Sequence, residues 1–288
     1  MNPSSGTADA RRAAEIGEAA RSEGLDVLEL RSDLEVHSEI RDRIDRGERL
    51  FVAAGGDGTI NAVLQPLVAT EGQLAVLPIG TWNHFARDLR LPLDWRESLR
   101  VALDGPVRQI DVGRINDRFF VNNVSLGLYP EVVRHRERFR RYGKWRAYLK
   151  ATRAALHQFS RLAFTIETAH RLEPVRTHVF MVSVNPYELD LPGVLAPRKT
   201  LDGGFLCIYW LPEMPRIELV RTLARYLRGR VTGDGAIRRV QTTHLKIQSS
   251  RPTMRVGMDG ELRELASPLT LSVQRRALNV RVPRNPVA

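Results

Sequence analysis

Along the first hundred residues, helical and strand patterns alternate. Ala10 to Gly24 is rich in Ala, Glu and Arg and closes on glycine, which predicts a helix with its C-cap. Leu25 to Leu30 predicts a short strand and Val36 to Arg46 a second helix. Leu50 to Ala54 and Leu74 to Ile79 are compact apolar runs, the pattern of strands buried on both faces. Ile60 to Thr70 and Trp95 to Asp104 predict the helices that follow them. This βαβ rhythm predicts a parallel sheet with helices on both faces.

Near residue 108 the texture changes. Ile110 to Arg114 and Arg118 to Val124 flank an Asn116-Asp117 turn and predict a hairpin. Ala163 to Thr168, Val175 to Val184, Gly204 to Leu211, Thr243 to Gln248, Thr253 to Met258 and the Pro268 to Val282 segment predict further strands. Two helices, Arg134 to Ser160 and Arg216 to Gly229, are inserted among them. The fold class expected is therefore α/β plus β. An N-terminal α/β domain spans 1–108, and a C-terminal antiparallel β-rich sandwich with inserted helices spans 109–288, its last residues being candidates to return to the first domain. A chain of 288 residues suits two domains at about 100–200 residues each.

Composition narrows the class. Apolar residues make up 43% and charged residues 27%, which fits a globular protein and excludes collagen-like and disordered chains. The longest apolar runs, Phe205 to Leu211 and Val179 to Val184, fall far below the roughly 18 residues of a membrane span. The first residues lack a basic flank followed by an apolar core, so a cytoplasmic protein is expected. The single cysteine, Cys207, excludes an intrachain disulfide and agrees with a reducing compartment. Lys and Arg number 44 against 33 Asp and Glu, a net charge of +11, which points to a polyanionic partner or surface. Only Lys144, Lys150, Lys199 and Lys246 are lysines, so a codon bias towards arginine accounts equally well for the excess.

The most informative stretch is Leu50 to Asn61, where a buried strand runs into Gly55-Gly56-Asp57-Gly58 and then a helix. Backbone N–H groups at such a helix start face a space that no Cβ blocks, and the turn accepts phosphate. An acid inside it would repel phosphate unless a divalent cation intervened, so Asp57 implies Mg²⁺. The chain has no G-x-x-x-x-G-K-[ST] loop. Gly56-x-Gly58-x-x-Asn61 lacks the third small residue of a dinucleotide fingerprint, and the next strand ends Pro78-Ile79-Gly80 without an acid for a ribose. A P-loop hydrolase and a hydride transferase are thus excluded; a mere tight turn is the alternative. A second turn of the same kind, Gly80-Thr81-Trp82-Asn83, follows the next strand, and two turns opening on one sheet edge define a ligand site in open α/β folds.

These two turns carry a resemblance. Gly55-Gly-Asp-Gly-Thr59 with Asn61, then Pro78-x-Gly80-Thr81-x-Asn83-x-Phe85-Ala86-Arg87, resemble the diacylglycerol kinase catalytic family, which includes bacterial lipid kinases and sphingosine and ceramide kinases. The similarity continues in order through Ile110-Asp111-Val112-Gly113, Phe120-Val121-Asn122, Leu201-Asp202-Gly203-Gly204 and Met258-Asp259-Gly260-Glu261. The resemblance implies a Rossmann-like α/β domain similar to that of NAD kinases, a β-rich second domain, and ATP bound in the cleft between them. It implies ATP contacts from Gly55, Gly56, Asp57, Gly58, Thr59, Asn61, Gly80, Thr81 and Asn83. It also implies Mg²⁺-linked acids at Asp57, Asp111 and Asp202, catalytic roles for Asp57 and Glu261, and Glu261 as the general base. A carboxylate near the acceptor O–H is what phosphoryl transfer to an alcohol requires. Asp259-Gly260 and Asp202-Gly203 also read simply as turns.

Two departures from the family pattern stand out. Many members carry Asp where this chain has His84, a poor Mg²⁺ ligand, so His84 is expected to serve as a hydrogen-bonding or substrate-side residue. Asn2-Pro3-Ser4-Ser5-Gly6 resembles a loop that follows a first strand in the family, and that strand is expected to be missing here.

Arg134 to Arg161 carries ten Lys and Arg against Glu137 alone, with Tyr142, Trp145, Leu149, Leu156 and Phe159 at helical steps. This predicts an amphipathic basic helix for an anionic membrane surface, or equally a helix packed on the β domain. The partners expected are a lipid substrate and that membrane surface, with a homodimer compatible and no nucleic acid, since no nucleic-acid-reading motif is present. The location expected is cytoplasmic, peripheral to the inner membrane face. The function expected is ATP- and Mg²⁺-dependent phosphorylation of a lipid hydroxyl, most simply that of diacylglycerol. The alternatives are an NAD kinase-like small-molecule kinase and a non-catalytic basic binding protein.

Overall fold

The computed structural model describes residues 7–28, 32–80, 83–127, 162–169, 171–187, 198, 200–215, 218, 221 and 237–284. Two compact units divide the chain: residues 1–110 with 276–288, and residues 111–275. The inserted helices expected over 134–160 and 216–229 lie outside the described residues, except for helical Glu218 and Arg221.

In the first unit, β1 (Leu50–Gly55) and β2 (Gln73–Pro78) run parallel, Leu50 opposite Gln73 through Gly55 opposite Pro78. The end of β13 (Leu269–Arg281) lies parallel on the other side of β2. The apolar runs make strands because both sheet faces are covered. On one face Ala54 and Leu77 pack with Ile16 of α1 (Thr7–Ser22) and with Trp95 and Leu99 of α5 (Trp95–Asp104). Helix α3 (Asp57–Leu67) packs on β1 and β2, and α2 (Asp33–Asp45) packs on α3. Two starts follow local chemistry: Ser32 Oγ caps Glu35 N at α2, and Asp94 Oδ1 caps Arg96 N and Glu97 N at α5. A short helix α4 (His84–Asp88) follows β2.

The strand expected over 25–30 is not formed at residues 25–28, the part of it described. Leu25 instead closes the end of α1. Leu25 N donates to Ala20 O (3.0 Å), a wrapped helix end, and Asp26 takes an ion pair from Arg43 (2.6 Å).

The second unit is antiparallel. Its strands are β3 (Val107–Ile115, of which 111–115 belong here), β4 (Arg118–Phe120), β5 (Asn123–Gly127), β6 (Leu162–Thr168), β7 (Leu172–Val184), β8 (Leu206–Pro212), β9 (Arg238–Thr242), β10 (His244–Gln248), β11 (Thr253–Met258) and β12 (Glu261–Ala266). The start of β13 leads an order β13-β10-β6-β7-β5-β11-β12, with β8 on β7 and β9 on β8. The long strand β7 passes from β6 to a place between β5 and β8, with a register shift between Thr177 and Val179. Thr177 Oγ1 plugs that irregularity, donating towards Leu211 O (2.6 Å) and Val179 O (2.9 Å) and accepting from Val179 N (3.1 Å). The inner face is one apolar cluster built on Phe120, Phe164, Phe180, Ile208, Leu245, Val256 and Leu271. Expected strands and observed strands agree closely; β9 and β12 are additional.

Two contacts here yield measurable consequences. Phe120 lies opposite Gly113, and a Cβ on Gly113 would fall 2.3 Å from its ring. Because Phe120 is fully buried, Gly113→Ala is expected to lower stability by about 1–3 kcal/mol in urea unfolding. Tyr209 is buried, its oxygen accepts from Tyr187 N (3.1 Å), and burial, aided by Cys207, pushes its phenol from 10 up to about 12. In that window the folded chain keeps a proton that the unfolded chain has lost, so this contribution is intact below pH 10 and fades as pH rises to about 12. Urea midpoints of Tyr209→Phe should therefore fall less steeply across that window than those of the unmutated protein.

Candidate functional site

Each unit gathers one set of the residues singled out by sequence. In the α/β unit the strand β1 ends at Gly55, and α3 begins at Asp57 with Gly56 as its N-cap. Gly56 has ordinary extended angles (φ −92°, ψ −172°) and supplies no side-chain cap, and a Cβ on it would meet Gly80 Cα at 3.4 Å, an ordinary contact, so the tight position of the pair is Gly80. A Cβ on Gly80 would lie 2.4 Å from Gly56 Cα, so the two turns approach backbone to backbone. A Cβ on Gly55 would collide with Thr59, 2.3 Å from its Oγ1. Gly56, Asp57 and Gly58 are half-exposed, whereas Thr59 and Asn61 are buried, with Asn61 Oδ1 accepting from Gln65 Nε2 (3.1 Å). The result is an open stretch of backbone at the N-terminus of an 11-residue helix.

Asp57 links the turns. Its carboxylate accepts from His84 N (3.4 Å) and Phe85 N (3.3 Å) at the start of α4. Burial raises its pKa above the ordinary value, and the His84 charge and the two backbone N–H groups work against that rise. The His84 main chain thus bonds to Asp57 across the two turns. Asn83, with φ +50°, donates Nδ2 to Pro78 O (3.2 Å) and Gly80 O (2.9 Å) and so shapes the second turn; its buried Oδ1 has no hydrogen-bond partner among the described residues. Thr81 lies outside the described residues. The close backbone approach that a Cβ on Gly80 would block and the half-exposed N–H groups at the start of α3 suit an anion, whereas the unpartnered Asn83 Oδ1, an acceptor, suits a hydroxyl or a cation.

In the β-rich unit, four separated segments come together. Asp111 on β3 is buried; its Oδ2 accepts from Asn185 Nδ2 (3.1 Å) and Gly204 N (2.6 Å), and its N–H donates to Leu201 O (2.7 Å). Asp202, in the same loop, is half-buried, and its Oδ1 accepts from Thr200 Oγ1 (2.8 Å). Asp111 is thus bonded to the loop, residues 201–204, that carries Asp202. Glu261, half-buried at the start of β12, accepts from Arg263 Nη2 (2.8 Å). It follows the Asp259-Gly260 turn, whose two positive φ values (47° and 86°) make the hairpin expected from the sequence. Among the described residues, no group of three or more His, Cys, Asp or Glu is arranged to hold a metal ion. Mg²⁺ keeps several waters and is held by one or two carboxylates together with substrate phosphates, so a single carboxylate such as that of Asp57 is compatible with it.

Sequence reasoning passed over Asn185, Arg198 and the carboxylate of Asp259. All three are buried and bind backbone or side chains far away in the chain. The only local signal was Asp259 within the Met258-to-Glu261 run, which a turn alone explains.

Comparison with known proteins agrees with this layout. The diacylglycerol kinase catalytic domain family matches residues 1–115, and the YegS C-terminal NAD kinase beta sandwich-like domain family matches residues 122–282. The chain is 30% identical over 221 residues to a diacylglycerol kinase of Bacillus subtilis, covering 74% of this chain and 71% of that one. It is 29% identical over 254 residues to a protein of Pseudomonas aeruginosa named "Probable lipid kinase YegS-like", covering 85% and 80%. The fold superposes on the crystal structure of a diacylglycerol kinase from Bacillus anthracis with a TM-score of 0.71 at 18% identity, covering 99% of this chain and 96% of that one. Matched in both halves and in order, the chain belongs to the bacterial diacylglycerol kinase and YegS lipid kinase family.

Proposed function

We propose that this protein transfers the γ-phosphoryl group of ATP, with Mg²⁺, to the hydroxyl of a lipid, diacylglycerol being the first candidate. The observation that carries the reading is the backbone contact of Gly56 with Gly80, which sets two strand-to-helix turns side by side at the start of α3. In this reading the amides of Gly56 to Thr59 and the second turn at Gly80, Thr81 and Asn83 bind the phosphates, and Asp57 takes the cation. When bound, ATP supplies the phosphoryl group and Mg²⁺ neutralises the charge that develops on it. Glu261 accepts the proton of the acceptor hydroxyl, and Arg263 orients its carboxylate. Asp111 and Asp202 take the remaining metal-linked roles in the β-rich unit. With lysines confined to 144, 150, 199 and 246, the phosphates depend on amides, the cation and arginine.

The lipid acceptor and a peripheral position on the inner membrane face belong to the same proposal. The relatives' names support a lipid. The basic segment 134–161, outside the described residues, is the part assigned to the anionic surface. No helix among the described residues is long and apolar enough to cross a membrane.

Labelled ATP offered with a total lipid extract tests the assignment. The unmutated protein should label a lipid, and Glu261→Ala and Asp57→Ala should each lower the rate by about 10²–10⁴-fold. Equal labelling by all three would refute the site. Gly80→Ala, by forcing the turns apart, should raise KM for ATP by about tenfold or more, read from initial rates at saturating lipid.

A further inference from the structure

In the β-rich unit, the link between β4 and β5 is gripped on both of its hydrogen-bonding sides by buried charge. Asp259 takes the N–H side: Oδ2 accepts from Val121 N (2.9 Å), and Oδ1 accepts from Asn122 N (2.8 Å) and Asn123 N (3.1 Å). Arg198 takes the carbonyl side, donating Nη1 to Val121 O (2.8 Å) and Val184 O (2.6 Å) and Nη2 to Asn122 Oδ1 (3.5 Å). The two side chains are 4% and 3% exposed. The peptide group joining Val121 to Asn122 is thus bonded at both ends, its N–H to the anion and its C=O to the cation. Each charge polarises that peptide in the sense that strengthens the other bond.

The same carboxylate belongs to the first residue of the turn that precedes Glu261. Asp259 N donates back to Asn123 O (3.0 Å), so the turn is tied to the link by both main chain and side chain. We propose that Arg198 and Asp259 are positioning residues for Glu261. Arg198 holds the 121–123 link, the link holds Asp259, and Asp259 fixes the turn that presents the Glu261 carboxylate. The inference rests on the reading of Glu261 as general base, and it adds two residues to which that reading gives no role.

The test uses the full chain with Arg198→Met, Arg198→Lys and Asp259→Asn. Hydrogen exchange reads the linkage without any assay of activity. Arg198→Met should speed exchange about tenfold or more in 118–127 and also in 256–266, leaving 269–275 unchanged. Kinetics with ATP and dioctanoylglycerol micelles read the consequence. Arg198→Met and Asp259→Asn should each lower kcat by about 100-fold with KM for ATP within about twofold, and Arg198→Lys should recover part of the loss. Faster exchange confined to 118–127 would overturn the proposal, because the turn would then be held independently. So would full kcat in Arg198→Met beside an inactive Glu261→Ala, or exchange rising uniformly across the unit. Should Arg198→Met fail to fold, the same exchange pattern in Arg198→Lys decides. A wild type that transfers no phosphoryl group sinks the functional reading alone, because exchange in 256–266 still reports whether Arg198 holds the turn.

Discussion

Strands that end inside a β-rich unit leave amide and carbonyl groups without ladder partners, and an unpaired buried group costs about 1–3 kcal/mol. This unit meets that constraint with buried charge. Asp259 satisfies three successive amides between β4 and β5, Arg198 satisfies the carbonyls of Val121 and Val184, and Asp111 satisfies Gly204 N and the Asn185 amide. Charge-assisted hydrogen bonds compensate for desolvating the ions, and no ladder bond could do so where the strands diverge. The arrangement gathers the middle of β3 and the ends of β4, β7 and β11 into one polar cluster on an otherwise apolar core. Glu261 and Asp202 are half-buried, each with a near-neighbour partner, Arg263 and Thr200.

The α/β unit solves a different problem, that of bringing two backbones together. Gly80 meets Gly56 where a side chain on Gly80 would keep the turns apart, and Asp57 spans the join by accepting from the amides of His84 and Phe85. The acid proposed to take the cation is therefore also a fastening between α3 and α4. Its two long hydrogen bonds leave lone pairs for a further ligand, while partial burial makes its ionised form cost more unless a cation or His84 lies near. From the first position of α3 its carboxylate reaches the neighbouring turn.

Much of this was legible in advance. The apolar runs at 50–54 and 74–79 became β1 and β2 because fully buried strands need no alternation, and Trp95 to Asp104 became α5 between its Asp94 cap and Gly105. Gly113 in the run from Ile110 is now explained by the Phe120 ring lying across it. Leu25 to Leu28 misled, because Leu25 N bonds back to the end of α1 and Asp26 goes to Arg43, choices that composition does not reveal. Strands β9 and β12 escaped because arginine and glutamate dominate them; their order comes from pairing with β8 and β11.

For this protein the sequence by itself determined the two-part α/β and β-rich plan, the two glycine turns and the Asp259-Gly260 hairpin, because periodicity and left-handed turn residues act over a few neighbours. Tertiary structure alone decided what the buried polar side chains do. Asp259 bonds to amides 136 to 138 residues away and Asn185 to Asp111 across 74, and such pairings depend on which strand ends meet in space. No local rule encodes that meeting, since closing each loop costs entropy that only the collective burial of the sheet repays.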